Sequence, residues 1–455
     1  MTDWTAVDRV ISERLDDSLA ELSRLCAQPS IAAQGTGMQA CAELVAEMLL
    51  ARGLTVQVLP TAGYPVVFGE RRGRSDRTLL FYNHYDVQPP EPLELWESPP
   101  FEPVQRNGKV FARGVSDDKG HILCRLAALD ALLAVDGELP CSVKFVIEGE
   151  EEISSPNLPA FVYAHAGLLA ADACVWEFGR VNEAGIPLQY AGQRGICYVE
   201  LSVATAQKDV HSGIGGSIFP NAAWRLVWAL QAIKGPDGRV RLPGFYDAVR
   251  PATARDWELL AALPEVAGEL RTGYGLKGFV DGLTGGPELR HAQVFLPTCT
   301  ICGLTSGYQG AGSKTVLPAR ASAKIDFRLV PDQTPEAVLQ QLRAHLDAEG
   351  FGDVEVSFLG GEPPARTDPD HPFLQLVTAA AREVYGVPQQ IAPLSGGSGP
   401  MHVFTHALGV PIATAGVSYP GAQTHSPNEH IVIDHFEKGI RHTARILGEF
   451  GAQRA

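Results

Sequence analysis

Short apolar runs alternate with helical segments through the first part of this 455-residue chain, and several of the runs end on acids or a histidine. The stretches LTVQVLP, YPVVFGE, RTLLFYNHYDVQ, SVKFVIEG and ACVWEF read as strands. Residues 4–27, 37–53, 118–135 and a stretch near 157–168 read as helices. Strands alternating with helices imply a largely parallel sheet with helices on both faces. Ligands bind beyond the carboxyl ends of the strands in such sheets, so the residues at strand ends carry the functional argument.

One strand end stands out. In CSVKFVIEGEEEISS (141–155) the apolar run from Val143 to Ile147 delivers the chain into Glu148, Glu150, Glu151 and Glu152. A charge run is ordinarily a solvated loop, but this one is short and follows a strand. Carboxylates crowded at a buried strand end take up protons or gather a cation.

The pattern changes downstream. RGICYVELSVAT (194–205) alternates with period two, a helix follows around 220–234, and 235–295 is irregular, with several Pro and Gly residues. Then come the strands PTCTICGLT and ARASAKIDFRLV, a helix from Pro335 to Glu349 and the strand VEVSFL. Strand–helix–strand twice over is the ferredoxin-like order. From about 370 the helix–strand alternation returns, ending in a helix from Phe436 to about Phe450. The fold expected is α/β: a mixed, largely parallel sheet with helices on both faces, interrupted by an inserted ferredoxin-like α+β domain. The expected boundaries are 1–193 and 368–455 for the two parts of the larger domain and 194–367 for the insertion.

Composition removes several alternatives. The 37 Lys+Arg against 52 Asp+Glu give a net charge of −15, which argues against a nucleic-acid or anionic-membrane partner. No apolar run approaches the ~18 residues a membrane span needs, and the N-terminal MTDWTAVDRVISERLDDS reads as an amphipathic helix rather than a signal peptide. The eight cysteines form no disulfide framework, which fits a reducing, cytoplasmic setting.

His84 and Asp86 in NHYDVQ stand two apart, on the same side of a strand, and an imidazole beside a carboxylate is a frequent metal-site arrangement. In RGVSDDKG, Asp117 or Asp118 could cap the following helix, yet two adjacent acids exceed what a cap requires. Glu177 in VWEFG ends another apolar strand, and His425 lies in the loop PGAQTHSPNEH. Together these form a His/Asp/Glu set suited to zinc. Other motifs fail on context. CTIC (299–302) has no second cysteine pair or nearby His. GYQGAGSKT (307–315) interposes Ser313 before Lys314 and precedes strand-like residues, so it is no phosphate loop. No G-x-S-x-G elbow is present.

The series HYD, GVSDDKG, EGEEEISS, WEFG, DVHSGIGG, KTVLP, FRLVP, GGSGP and THSPNE resembles the zinc-dependent metallopeptidase family of carnosinases, peptidase V-type dipeptidases, aminoacylases and glutamate carboxypeptidases. It is most similar to the carnosinase-like dipeptidases. The resemblance implies two zinc ions, with Mn or Co able to share such ligands. His84 would bind one ion, Asp117 would bridge the two, and Glu152, Glu177 and His425 would complete the ligands. Asp86 would orient His84, and Glu151 would be the general base toward the attacking water. Glu148 and Glu150 are left with supporting or solvated roles. The family also implies a cis peptide between Asp117 and Asp118.

By the same resemblance His211 would stabilise the oxyanion in the partner subunit's site of a homodimer; the bland alternative is a buried, satisfied histidine. Arg328 would bind the substrate carboxylate with its planar fork. Thr315 and Ser398 resemble substrate-binding positions, and Gly397 would let backbone approach closely. Two departures stand out: Glu177 replaces the Asp usual in the dipeptidases, and Ser154 replaces a Gly after the Glu pair. The first reading is a dipeptidase acting on short peptides with a free carboxylate. The second is an N-acyl-amino-acid amidohydrolase or glutamate-carboxypeptidase-like enzyme. A catalytically inactive binding or structural subunit would lack a ligand or the base, and here all are present.

Overall fold

A computed structural model describes residues 2–453. The chain divides into two compact units. The first takes the chain up to Gly192, Arg366–Pro393 and everything from Pro400 onward; the second takes Gln193–Ala365 and Leu394–Gly399.

The first unit is built on β1 (Thr55–Leu59), β2 (Val66–Arg71), β3 (Thr78–His84), β4 (Ser142–Glu148), β5 (Ala173–Trp176) and the strand Ile412–Thr414. Their spatial order is β1, β2, β4, β3, β5, then Ile412–Thr414. β1–β2 and β2–β4 are antiparallel, whereas β4–β3, β3–β5 and β5 with Ile412–Thr414 are parallel. β3 and the second half of β4 are buried residue after residue, as strands covered on both faces must be. Because His84 pairs with Glu148 and Phe81 with Val175, the carboxyl ends of β3, β4 and β5 finish side by side. That register gathers the strand-end residues in one place.

The helix Lys119–Asp136 is buried almost all round and packs against Ile433–Ala452 and the two N-terminal helices. It ends at Gly137, φ 75°, whose N–H reaches back to Leu133 O, a position where only glycine avoids a Cβ penalty. The helix expected over 4–27 is two helices, Trp4–Glu13 and Leu15–Ala27, divided at Arg14 (φ −104°, ψ 11°). The buried stripe Val7, Ile11, Leu19, Leu22 stays in phase across that division, so periodicity alone carries no trace of it.

In the second unit β6 (Gly195–Ala204), β7 (Thr298–Ser306), β8 (Arg320–Leu329) and β9 (Glu355–Glu362) form an antiparallel sheet ordered β7, β8, β6, β9. With the helices Ala222–Ile233 and Pro335–Ala348 this is the ferredoxin-like arrangement. β6 alternates buried and half-buried residues; its Cys197, Val199 and Leu201 join Leu226 and Leu342 of the two helices in one core. The stretch 235–295 is more ordered than its Pro and Gly content suggests, holding the helices Ala254–Ala262, Ala267–Tyr274 and Gly286–Phe295. The first opens on a reciprocal cap in which Thr253 and the buried Asp256 each bond the other's backbone, the T-x-x-D signature of a helix start.

Among the described residues no helix is long and apolar enough to cross a membrane. The eight cysteines are unpaired, and all but Cys302 are buried.

Candidate metal centre

His84 closes β3 with its ring fully buried. Its Nδ1 lies 3.0 Å from Asp86 O and 3.4 Å from Asp86 Oδ1. Two acceptors on that side hold a ring proton on Nδ1 and turn Nε2 toward the carboxylates. Nε2 lies 3.0 Å from Asp117 Oδ1 and 3.9 Å from Glu177 Oε2. The other Asp117 oxygen meets a second histidine: His425 Nε2 is 3.0 Å from Asp117 Oδ2 and 3.2 Å from Glu152 Oε2. Asp117 therefore stands between two nitrogen–carboxylate pairs, His84 with Glu177 and His425 with Glu152. One ligand atom each from His84, Asp117 and Glu152 fall within 4.8 Å of one another.

Local backbone sets this geometry. The Asp86 carboxylate accepts the N–H of Glu151 at 3.2 Å and of Glu152 at 2.9 Å, fixing the turn after β4 against the end of β3. Glu151–Ile153 make a single 3-10 turn that stops at Ser154, φ 72°. That is the left-handed conformation a glycine adopts most readily, so the serine keeps the shape of the turn. The Asp117–Asp118 peptide is cis. Asp118 turns away from the cluster, accepting His84 N–H at 3.2 Å.

Burial and charge set the protonation. Burial raises Glu151 and Glu177 well above the usual carboxylate range, and Glu152 is raised by burial and the Asp117 charge. Asp117 is pushed up by its burial, but hydrogen bonds from His425 and His84 outweigh that and hold it below its ordinary value. Hydrogen bonds to Asp117 and Glu152 raise His425 to about 10. His84 is opposed by burial, yet its contacts with Asp117 and Asp86 carry it well above the ordinary imidazole value.

Divalent cations fit these residues. Glu152 Oε1 and Glu177 Oε2 are buried without a hydrogen-bond partner, a costly state for a carboxylate oxygen unless something positive meets it. The donors are imidazole nitrogens and carboxylate oxygens, the set zinc accepts.

Several supporting residues escape sequence reasoning. Glu429, fully buried, accepts the N–H groups of Gly114 (3.0 Å), Ser116 (2.8 Å) and Asp117 (3.1 Å) and pairs with Arg113 at 2.7 Å. It sits beside the Asp117 loop because His430–Val432 pairs with Lys109–Phe111. Gln88 donates to Glu152 Oε2 at 2.8 Å. Glu148 and Glu150, for which solvated roles were open, are both buried. Glu148 accepts from Tyr82 OH and Ser155 Oγ, and burial raises it to about 8. Glu150 accepts both its bonds from Asn157 Nδ2. Tyr82 lies 66 residues from Glu148, whereas Ser155 and Asn157 each lie seven residues from the glutamate they bond.

The second unit holds the other candidates. Arg328 Nη1 donates to Ser398 Oγ at 2.9 Å, and its Nε lies 3.3 Å from Asp326 Oδ2. At Gly397 an added Cβ would meet only Ser395 Oγ, at 3.7 Å, so nothing in the protein itself requires glycine there. His211 is exposed rather than buried and satisfied. Its Nδ1 accepts Gly213 N–H at 2.9 Å, which leaves the ring proton on Nε2. Thr315 neighbours it through Ser212 N–H, which donates to Thr315 O at 3.0 Å.

The model of peptidase family M20/M25/M40 matches residues 80–449 of the chain. The Cys-Gly metallodipeptidase dug1 of Schizosaccharomyces pombe is 27% identical, the alignment covering 95% of this chain and 95% of that protein. The Beta-Ala-His dipeptidase of Homo sapiens is 28% identical over 76% of this chain and 68% of its own. Among solved structures, an M20 family metallo-carboxypeptidase, Sso-CP2 from Sulfolobus solfataricus, superposes with a TM-score of 0.91 at 35% identity, covering 96% of this chain and 99% of that one.

Proposed function

The chain belongs to peptidase family M20/M25/M40 and is a peptide-bond hydrolase of its dipeptidase type; from that premise we propose that it cleaves dipeptides bearing a free C-terminal carboxylate, using two divalent ions, zinc in the first instance. His84 and Glu177 would hold one ion, His425 and Glu152 the other, and Asp117 both. The observation that carries this reading is the position of Asp117, each of whose oxygens stands 3.0 Å from a different imidazole nitrogen.

Bound there, the ions supply Lewis acidity to the scissile carbonyl and to the attacking water. The rest is done by the chain's own groups. Glu151, held through its backbone on Asp86, takes the proton of the attacking water and passes it to the leaving amine. Its raised proton affinity, caused by burial, suits a group that must hold that proton between the two steps. Asp86 fixes the His84 tautomer. Arg328, with Ser398 on its guanidinium, binds the substrate carboxylate, while Thr315 and Gly397 border the substrate. His211 offers its Nε2–H to the oxyanion of a partner subunit's site, which makes the enzyme a homodimer. Exposed Trp224, Val227 and Trp228 on the helix Ala222–Ile233 give that dimer an apolar surface to bury. Unpaired, mostly buried cysteines agree with a cytoplasmic setting.

A carboxypeptidase reading draws on the 35% identity to Sso-CP2 and on Glu177. Both readings need a free C-terminal carboxylate, and they differ in the length accepted on its amino side. Metal analysis of the purified, reloaded protein tests the shared core: two ions per chain are expected, and one or none would refute the paired site.

A further inference from the structure

Asp117, Glu177 and His425 come from three segments remote in sequence, and the side chain of His121, outside the ligand set, lies against a residue of each segment. His121, in the first turn of the helix Lys119–Asp136, is 1% exposed. Its Nδ1 lies 2.9 Å from Asp118 Oδ1, the residue after Asp117, although off the line of an ideal hydrogen bond. Its Nε2 accepts the N–H of Val417 at 3.1 Å and lies 3.2 Å from Gly179 O. Val417 opens the segment that leads to His425, and Gly179 follows Glu177 by two residues. A backbone N–H can only donate, so the Val417 bond places the ring proton on Nδ1, facing Asp118. The fit is close: a Cβ on Gly416 would stand 2.3 Å from His121 Cδ2 and Nε2. It would also stand 2.6 Å from Gly179 N. There is room for this ring, these two glycines and little else.

We propose that His121 is a positioning residue that sets the separation of the two metal sites, by joining the Asp117–Asp118 corner to the segment that leads to His425 and packing against the backbone beyond Glu177. This rests on the two-ion reading. His425 is the ligand most dependent on it, because His425 sits in a loop at φ 62° with half its side chain exposed, whereas His84 is fixed within β3. Loss of the His121 contact therefore weakens the ion held by His425 and Glu152 and spares the one held by His84 and Glu177. Groups that orient metal ligands typically contribute about 10–100-fold in metal affinity.

The test is calorimetric titration of the chelator-stripped full chain with Zn2+ alone, with metal content read in parallel. Wild type should bind two ions. His121→Asn is too short to reach Val417 N–H and should lower the affinity of the weaker ion by about tenfold or more while leaving the tighter one within about twofold. His121→Gln, which can place an amide oxygen at the Nε2 position, should restore it. Gly416→Ala, which presses on the ring with His121 intact, should reproduce the Asn result and covers the case in which His121→Asn does not fold. Two ions bound by wild type with unchanged affinities in His121→Asn or Gly416→Ala would overturn this inference alone. Fewer than two ions in wild type would overturn the metal reading and this inference with it.

Discussion

The Asp86 carboxylate accepts the backbone N–H of Glu152 at 2.9 Å, and the same group bonds Glu151 N–H and lies against His84 Nδ1. One buried acid thus joins the end of β3 to the turn that carries two of the glutamates. Asp86→Asn turns an amide N–H toward one of these donors. Zinc affinity, measured by competition with a chromophoric chelator, should fall by about 10–100-fold. A fall confined to less than twofold would mean the turn holds its shape without Asp86.

Glu151→Gln should reduce kcat by a factor of at least about 10²–10⁴, the usual range for removing a general base, while both zinc ions stay bound. Dipeptide turnover and metal content of the same sample check this. Retained turnover would remove Glu151 from the role assigned to it.

Arg328→Lys exchanges a planar fork for a point charge and loses the geometry that Ser398 shares. KM for a dipeptide should rise by about tenfold or more, since a charge-assisted bond contributes ~1.5–3 kcal/mol. Discrimination against the C-terminally amidated dipeptide should shrink in parallel. An unchanged preference for the free carboxylate would place its binding elsewhere.

Acid stability follows from a histidine outside the proposed ligand set. His442 is buried, donates to Val377 O at 2.9 Å, and burial lowers it to about 4. An unfolded chain binds that proton near 6.5. Between these values only the unfolded state is protonated, so the site's contribution to stability is complete above pH 6.5 and declines as pH falls toward 4, by about 3 kcal/mol in all. His442→Gln, which can keep the bond to Val377, should flatten that part of the stability–pH curve in urea unfolding. A slope identical to wild type would show that other groups govern the acid limb.

Glu429 poses a sharper structural test. Glu429→Gln leaves the Arg113 charge buried and turns an N–H toward backbone donors, a change that costs about 3–5 kcal/mol when a buried pair is broken. The denaturation midpoint should drop accordingly, and zinc affinity should drop with it because Asp117 N–H is one of the bonds lost. A stability loss with zinc binding untouched would uncouple Glu429 from the Asp117 loop.

The sequence discloses this centre well where chemistry sits at strand ends. His84, Glu148 and Trp176 close neighbouring strands, so apolar runs ending in His or Glu locate the centre without any knowledge of contacts. Glu429, Gln88 and His121 act on groups brought near only by the sheet, and a lone Glu, Gln or His in a chain carries no mark of that. The same holds for Leu394–Gly399, whose place with the second unit is set by tertiary contacts such as Leu394 on Leu260 and Phe295. The helices within 235–295 were legible only in part: Thr253–Asp256 is a helix start in plain view, obscured by the Pro and Gly residues around it.

Dipeptide cleavage by this centre should depend on its bound metal. The most direct measurement incubates the zinc-loaded protein with pooled dipeptides, tripeptides and N-acetyl amino acids, followed by mass spectrometry beside a chelator-treated control. Loss of dipeptides alone, abolished by the chelator, is expected. Loss of the tripeptides or acetylated compounds in their place, or loss of dipeptides that survives chelation, would contradict it.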